Sequence, residues 1–597
     1  MRKVLILISF IISTSAELIA QQKVDFFVSK IQLPEGHQVG IRGDSPPLSW
    51  YSSLKLSPVD SGYAVSLNFP DSVDRIEFKF VTFDDDSNPN WETNGNRDLV
   101  LEKESYSESI WDVEQFIDPE TLEPIPSNGL LEDYELVEQM ILDLHPGTYR
   151  FADSAKIKKS LAELKQKFST PKSYGEAYLA LSKTLSALEC GHTAASLYNQ
   201  NKIIKSVIHR QKDKMPFAFR WIEGKMVVTF DASSDAIIPM GTVIHTINGV
   251  EVEKIYAKME EYIPSDGNTP KSRRAMSEIE AYDFRYDIFD VLYPLLYPLE
   301  NEVLELSISR PEETLEESIS LEYITRFDRT DILTERYPDF PKVRNDLISF
   351  EIINDHTGLL KIGSYGLMGW KRLTLDYGEF LKQSFAKLKK EKIANLIIDI
   401  RDNNGGNDEM LDELLTYLDV DRITIDDFEG RTRYLEFPEN IKANSKSWGG
   451  DDPWYYHPDP KEKINGYYAY PEEAFVDQKN KKKGSYFKGN LYWLIGPKNA
   501  SLAYYTASAA RRFDLGLLVG EETGGNQQGI NGGQLVFLTL PNSQIEIDFP
   551  IMGMFYTKDA PNQGILPDVE ISQTLLDFRN GIDTQKQYIL EELIQER

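Results

Sequence analysis

LYWLIGPKNASLAYYTASAARRFDLGLLVGEETGG, residues 491–525, runs from an apolar strand into a helix of small residues and on to a glycine turn. Ser501 stands at the strand-to-helix junction, eighteen positions ahead of Val519 in the VGEETGG run. A hydroxyl in the first turn of a helix is stiffly held at the positive end of the helix dipole. The amides beside it have no acceptor within the helix and can face a developing oxyanion. Upstream, NLIIDIRDNNGG (395–406) is a continuous apolar run of the kind buried in parallel sheets, closed by Gly405 and Gly406. Glycines there leave the N–H groups unobstructed. Two such loops and a distant histidine, His192 in ECGHT (189–193), are the parts of an acyl-transfer site. By itself, serine before a helix is an ordinary N-cap; the other loops are what favour a nucleophile.

The string IIDIRDNNGG, Ser501 followed at eighteen residues by VGEETGG, and GILPD (564–568), in that order, resembles the C-terminal processing, or tail-specific, serine peptidase family. The resemblance covers residues 131–597. It implies that Ser501 is the nucleophile and that Gly405, Gly406 and the N–H of Leu502 form the oxyanion hole. A serine hydroxyl needs a base near neutral pH. The tail-specific branch of that family places a lysine after the TGG-type glycines, where this chain has Asn526, which cannot accept the proton. The branch resembling the tricorn core uses a histidine delivered by a helical region, and His192 matches it. Imidazole is the commonest general base. Two supporting positions of that branch differ here: Gly191 stands where a serine precedes the histidine, and DAPNQGILPD (559–568) lacks the glutamate. Asp559, Glu546 and Thr193 are the candidates for the group that orients the imidazole, and the sequence does not separate them.

Around this core the pattern reads as multidomain. Residues 1–20 have a basic start, a short apolar run and a small residue at Ala20, as in a secretory signal. An exported protein is expected, in the periplasm, cell envelope or medium, with no membrane span in the mature chain. Residues 21–105 alternate as short strands separated by Gly, Pro and Asp, an all-β sandwich. Residues 106–130 read as a linker. Residues 131–208 change to helical period in DYELVEQMILDL, SAKIKKSLAELKQKF and YGEAYLALSKTLSAL, and deliver the chain to His192. Residues 209–335 contain PMGTVIHTINGVEVEKIYAKM (239–259), a strand, an Asn-Gly turn, a strand and a helix, which resembles the PDZ domain of the same family. Residues 336–597 alternate strands and helices as an α/β catalytic core. That core holds an insertion, about 420–488, dense in aromatics (Trp448, Trp454, Tyr455, Tyr456, Tyr467, Tyr468, Tyr470) and ending in KNKKKG. It is read as a wall or lid over the cleft.

The N-terminal stretch carries its own constellation: IRGDSPPLSW (41–50), RIEFKF (75–80) and WETNGNR (91–97). These resemble a starch-binding module of the glucoamylase type. The resemblance implies that Trp50 and Trp91 stack on sugar rings while Lys79 and Asn96 hydrogen-bond hydroxyls.

The net charge is −30, from 95 acids against 65 bases, which argues against nucleic acid as a partner. Cys190 is the single cysteine, and there is no HExxH motif and no P-loop. No metal or cofactor is therefore expected. The expected partners are a peptide or protein substrate and a polysaccharide at the N-terminal module. The reading is an exported serine-type peptidase working through an acyl-enzyme on Ser501; the alternative is a non-catalytic peptide- or glycan-binding protein that keeps the fold.

Overall fold

Leu360, Ile398, Trp493 and Leu518 are all buried in one apolar cluster, and they come from four neighbouring strands of one sheet. The computed structural model that shows this describes residues 21–595 apart from 84–88, 110–118, 367–374, 419–427, 448–465, 470–485 and a number of shorter stretches. The expected signal segment, Trp448, Trp454, Tyr455, Tyr456, Tyr470 and the lysine run 479–484 lie outside the described residues. The chain divides into two compact units, residues 1–116 and 117–597.

The first unit is a sandwich of two sheets. One orders Ser57–Val59, Gly62–Pro70, Gln21–Ser29 and Glu104–Ser109; the other orders Leu54–Lys55, Gln38–Gly43, Arg75–Phe83 and Pro89–Trp91, with Arg97–Val100 also on Arg75–Phe83. The period-2 rule turns Ile76, Phe78 and Phe80 inward, and Phe78 meets Phe26 of the facing sheet edge-on at 5.0 Å. Each such burial contributes about 1.5–3 kcal/mol. The expected boundary at residue 105 is corrected: Glu104–Ser109 pairs in parallel with Gln21–Ser29. ESYSES has no apolar alternation, so it reads as linker although its backbone completes a sheet. The first helix of the second unit starts at Ser127.

In the second unit the helices Ser127–Gln139, Ser154–Phe168 and Tyr174–Ser186 fall where the 3.6 period puts them. Ser173 and Glu176 close the third with a capping box. These helices are not a separate body. Leu181 and Leu185 share one core with Val536, Leu538, Ile547 and Phe549 of a hairpin far along the chain, and Ala194–Ala195 pairs with that hairpin at Ile547 and Asp548. Residues 217–322 form an antiparallel sheet in the order Phe217–Ile222, Lys225–Asp231, Val243–Ile247, Val303–Ser309, Glu317–Glu322. The turn Asn248–Gly249 has both residues at positive φ (50° and 76°), as a tight hairpin needs.

The α/β sheet orders Ile348–Asn354, Thr357–Ile362, Asn395–Asp399, Asn490–Ile495, Leu517–Gly520 and Val569–Glu570. All but the first pairing are parallel. Asn395–Asp399 is buried along its whole length, which is why it reads as an unbroken apolar run. The expected irregular insertion is partly regular: Phe428–Thr432 pairs with Gly553–Tyr556 and with Tyr468–Ala469. Tyr467 meets Phe555 edge-on at 5.0 Å.

Candidate active site

The strand Asn490–Ile495 delivers the chain to the helix Ser501–Arg512 through the turn 496–500. The N-cap of that helix is Ala500, and no side chain caps it. Ser501 is the first helical residue and sits at φ 49°. A non-glycine residue in this left-handed region stores about 1–3 kcal/mol and persists only when its surroundings over-determine it. The ordinary cap reading of Ser501 is thus corrected. What holds the turn is Asn499, fully buried. Its Oδ1 accepts from Gly496 N–H at 2.8 Å, and its Nδ2 donates to the carbonyls of Ile400 and Asn403. Its own carbonyl accepts from Gly524 and Gly525 at 2.9 and 3.1 Å. One side chain and one peptide group therefore tie all three glycine-bearing loops together. Asn499 is a residue the sequence reading missed; an asparagine inside a turn quotation carries no signal beyond turn preference.

Gly405 lies against Ser501. A Cβ built on it would be 2.8 Å from Ser501 Cβ, 3.1 Å from Leu502 N and 3.2 Å from Ser501 Oγ. The Gly405 N–H, however, donates to Asn403 Oδ1 at 2.9 Å, so its place among the oxyanion donors is corrected. Gly406 bridges Tyr365 in parallel through its neighbours: Tyr365 N–H donates to Gly405 O, and Asn407 N–H to Tyr365 O. That pattern leaves the Gly406 N–H outside the bridge. At φ 140°, a Cβ on Gly406 would stand 2.1 Å from the Tyr365 carbonyl carbon, so only glycine fits. Leu502 N–H belongs to the first helical turn, where amides have no intrahelical acceptor.

His192 sits beside Gly532, whose would-be Cβ is 3.3 Å from the imidazole Nε2. Its Nδ1 is buried without a hydrogen-bond partner. Among the described residues no hydrogen bond joins His192 to Ser501. The two are linked through the scaffold: Gly525 is bonded to Asn499, the neighbouring Asn526 donates to Asp266 O at 3.1 Å, and Asp266 Oδ1 accepts from Gly191 N–H at 2.8 Å.

Residues 356–571, which hold Ser501, Leu502, Gly405 and Gly406, match the model of peptidase family S41. Over these residues the chain is similar to peptidase family S41. Residues 21–111 match the starch binding domain. The fold is shared with mature CPAF, at 14% identity and TM-score 0.53 over 79% of this chain and 97% of that one. It is shared equally with mature CPAF complexed with lactacystin, at 15% identity and TM-score 0.54 over 79% and 98%. A photosystem II D1 C-terminal processing protease aligns at 15% identity and TM-score 0.34 over 74% and 92%. No curated protein matches the sequence. The enzyme is a serine-type peptidase whose N-terminal residues match a starch-binding domain.

None of the three residues expected to orient His192, Thr193, Glu546 and Asp559, is hydrogen-bonded to it. Thr193 Oγ1 is taken by His145 Nε2 at 2.7 Å. Glu546 pairs with Lys446 at 2.8 Å, and Asp559 lies exposed in its loop. Asn526 is fully buried and structural, holding Asp266 O and Asn562 Oδ1. A cavity of about 150 Å³ is lined by Gly191 and Thr193 together with Tyr178, Tyr262, Met276 and Asp548. Neither His192 nor Ser501 lines it, although both chain neighbours of His192 do. Burial pushes the Asp548 carboxyl up to about 7. Among the described residues, no group of three or more His, Cys, Asp or Glu could hold a metal ion, and no helix is long and apolar enough to cross a membrane.

In the starch-binding domain, the Trp50 and Trp91 rings lie 5.8 Å apart and tilted by 38°. Both are half-buried and outside the sandwich core. Arg42 stacks over the Trp91 ring at 5.3 Å and donates to the Trp50 backbone carbonyl at 2.8 Å. Lys79 faces Arg42 across the strand pair, and Asn96 donates to Glu77 Oε2 at 3.2 Å.

Proposed function

We propose that the enzyme hydrolyses peptide bonds through an acyl-enzyme on Ser501, with His192 as general base. The observation that carries this reading is Ser501 itself: a strained first-turn serine packed on a glycine loop, where a capping serine would need neither feature. Ser501 Oγ attacks the scissile carbonyl and passes its proton to Nε2 of His192, the ring nitrogen opposite the buried Nδ1. The oxyanion is met by the N–H groups of Gly406 and Leu502. The imidazolium then returns the proton to the leaving amine, and water repeats the sequence to release the acyl group. Residues 209–335 are read as a PDZ-like module on their strand–turn–strand–helix order, which suits capture of an extended peptide. The Trp50–Trp91 pair, with Lys79 and Asn96 beside it, suits an α-glucan, which would hold the enzyme on a polysaccharide. The signal-like residues 1–20 support export.

The test is labelling of the purified protein with a fluorophosphonate probe, followed by peptide mapping. Modification at Ser501, with peptide turnover lost in Ser501→Ala, is the expected result. A protein that is never labelled and cleaves nothing in a peptide library would instead be a binding descendant of the family.

A further inference from the structure

We propose that Asp266 is the positioning residue for His192: its carboxylate fills the space that Gly191 leaves open, anchors the histidine loop and faces the imidazolium as it forms. This rests on the reading of His192 as general base. No residue named from the motifs supplies the third group, whereas Asp266 lies in a turn, IPSDGNTP (263–270), that carries no family motif.

The geometry is tight. A Cβ on Gly191 would lie 3.0 Å from Asp266 Oδ2, 3.2 Å from Cγ and 3.3 Å from Oδ1. The carboxylate therefore occupies the place a side chain before the histidine would take. Oδ1 accepts the Gly191 N–H at 2.8 Å, which pins the peptide adjoining His192. Asp266 is only 1% exposed, and a buried carboxylate persists when it is bonded and faces positive charge.

Its own backbone is held from three sides. Asn526 Nδ2 and Thr269 Oγ1 donate to its carbonyl at 3.1 and 3.3 Å, and Gly267 N–H donates to Glu189 O at 3.0 Å, back onto the histidine loop. Gly267 at φ 63° makes this turn possible; a Cβ there would meet Asn562 Oδ1 at 2.3 Å. The ionisable groups facing Asp266 are His192, Arg150, Cys190, Tyr504 and Tyr505. Burial pushes the Asp266 carboxyl up, while His192, the Gly191 amide and Arg150 draw it back down. As the Oγ–C bond forms, the serine proton moves to His192 and Asp266 keeps its negative charge. As the C–N bond breaks, that proton leaves with the amine. Asp266 never takes it.

Asp266→Asn keeps the shape and the acceptor for Gly191 and removes only the charge. The expected result is a fall in kcat of about 100-fold, the low end for a positioned acid–base system, with KM little changed. Gly191→Ala keeps the charge but crowds it, so kcat should fall there too with KM little changed. Wild-type kcat in Asp266→Asn overturns the proposal, and so does a loss of kcat/KM that comes from a rise in KM with kcat kept, which marks a merely structural role. If near-ultraviolet circular dichroism shows Asp266→Asn unfolded, Gly191→Ala decides, and undiminished kcat there overturns the proposal. Fluorophosphonate labelling of the wild type separates this inference from the one beneath it. Unlabelled Ser501 removes the catalytic reading altogether; labelled Ser501 with an indifferent Asp266 removes only the role of Asp266.

Discussion

Under the proposed mechanism, replacing Ser501 by alanine should lower peptide turnover by several orders of magnitude with the fold intact, as measured by initial rates and thermal melting. His192→Ala should do the same, whereas Asn526→Ala should be milder in rate and show instead as lost stability, because the Asn526 amide bonds Asp266 O and Asn562 Oδ1. Turnover retained after His192 is removed would rule out the base assignment. Gly406→Ala should be inactive even where it folds, since its methyl would stand 2.1 Å from the Tyr365 carbonyl carbon. The motif spacing pointed to Ser501, Gly405 and Gly406 together, and the fold packs Gly405 against Ser501. The spacing could not say which of the two glycine amides is free, because Asn403 captures the Gly405 N–H in a local turn.

At the scale of elements, two pairings carry stability that no single helix or strand shows. Arg329 of the helix Arg326–Arg336 is almost fully buried and makes a two-pronged contact with Asp290 of the helix Ile288–Leu296, with Asp287 at 3.5 Å. Arg329→Leu strands that buried carboxylate and should destabilise the unit by about 3–5 kcal/mol in denaturant titration. The strand Glu546–Pro550 holds Asp548, whose carboxyl burial raises from 3.8 to about 7. Below pH 4 it is protonated folded and unfolded alike. Between about 4 and 7 the unfolded chain ionises first, so stability falls as pH rises, and the loss is complete above 7. Asp548→Asn should therefore melt a few degrees higher than wild type at pH 8 and no higher at pH 4; equal gains at both values would refute this. The strand Glu104–Ser109 predicts that a fragment cut at residue 105 folds poorly, whereas residues 21–116 fold alone.

Across the whole molecule, the starch-binding match and the peptidase-family match fall in separate compact units. Trp50→Ala together with Trp91→Ala should abolish retention on α-glucan resins while leaving kcat/KM for a short soluble peptide unchanged. If residues 21–116 bind none of several glucans and cell-wall glycans in a pull-down, the glycan assignment falls and the domain is a docking module. The net charge of −30 disfavours anionic polymers, so a neutral glucan is the polysaccharide to test.

Period and motif are local properties, and what rests on them was readable from the chain. The helices ahead of His192, the buried parallel strand Asn395–Asp399, the Asn248–Gly249 turn and the Ser501 junction all follow from spacing within a few residues. The tertiary structure alone decided the rest. ESYSES becomes a strand because its partner is the start of the chain, and the helical segment joins the core because a hairpin beginning at Leu535 covers it. Asp266 meets the Gly191 amide across 75 residues. A backbone donor and a buried carboxylate attract whatever their separation along the chain, and no pattern of side-chain types records which distant groups the folded backbone will bring within 3 Å.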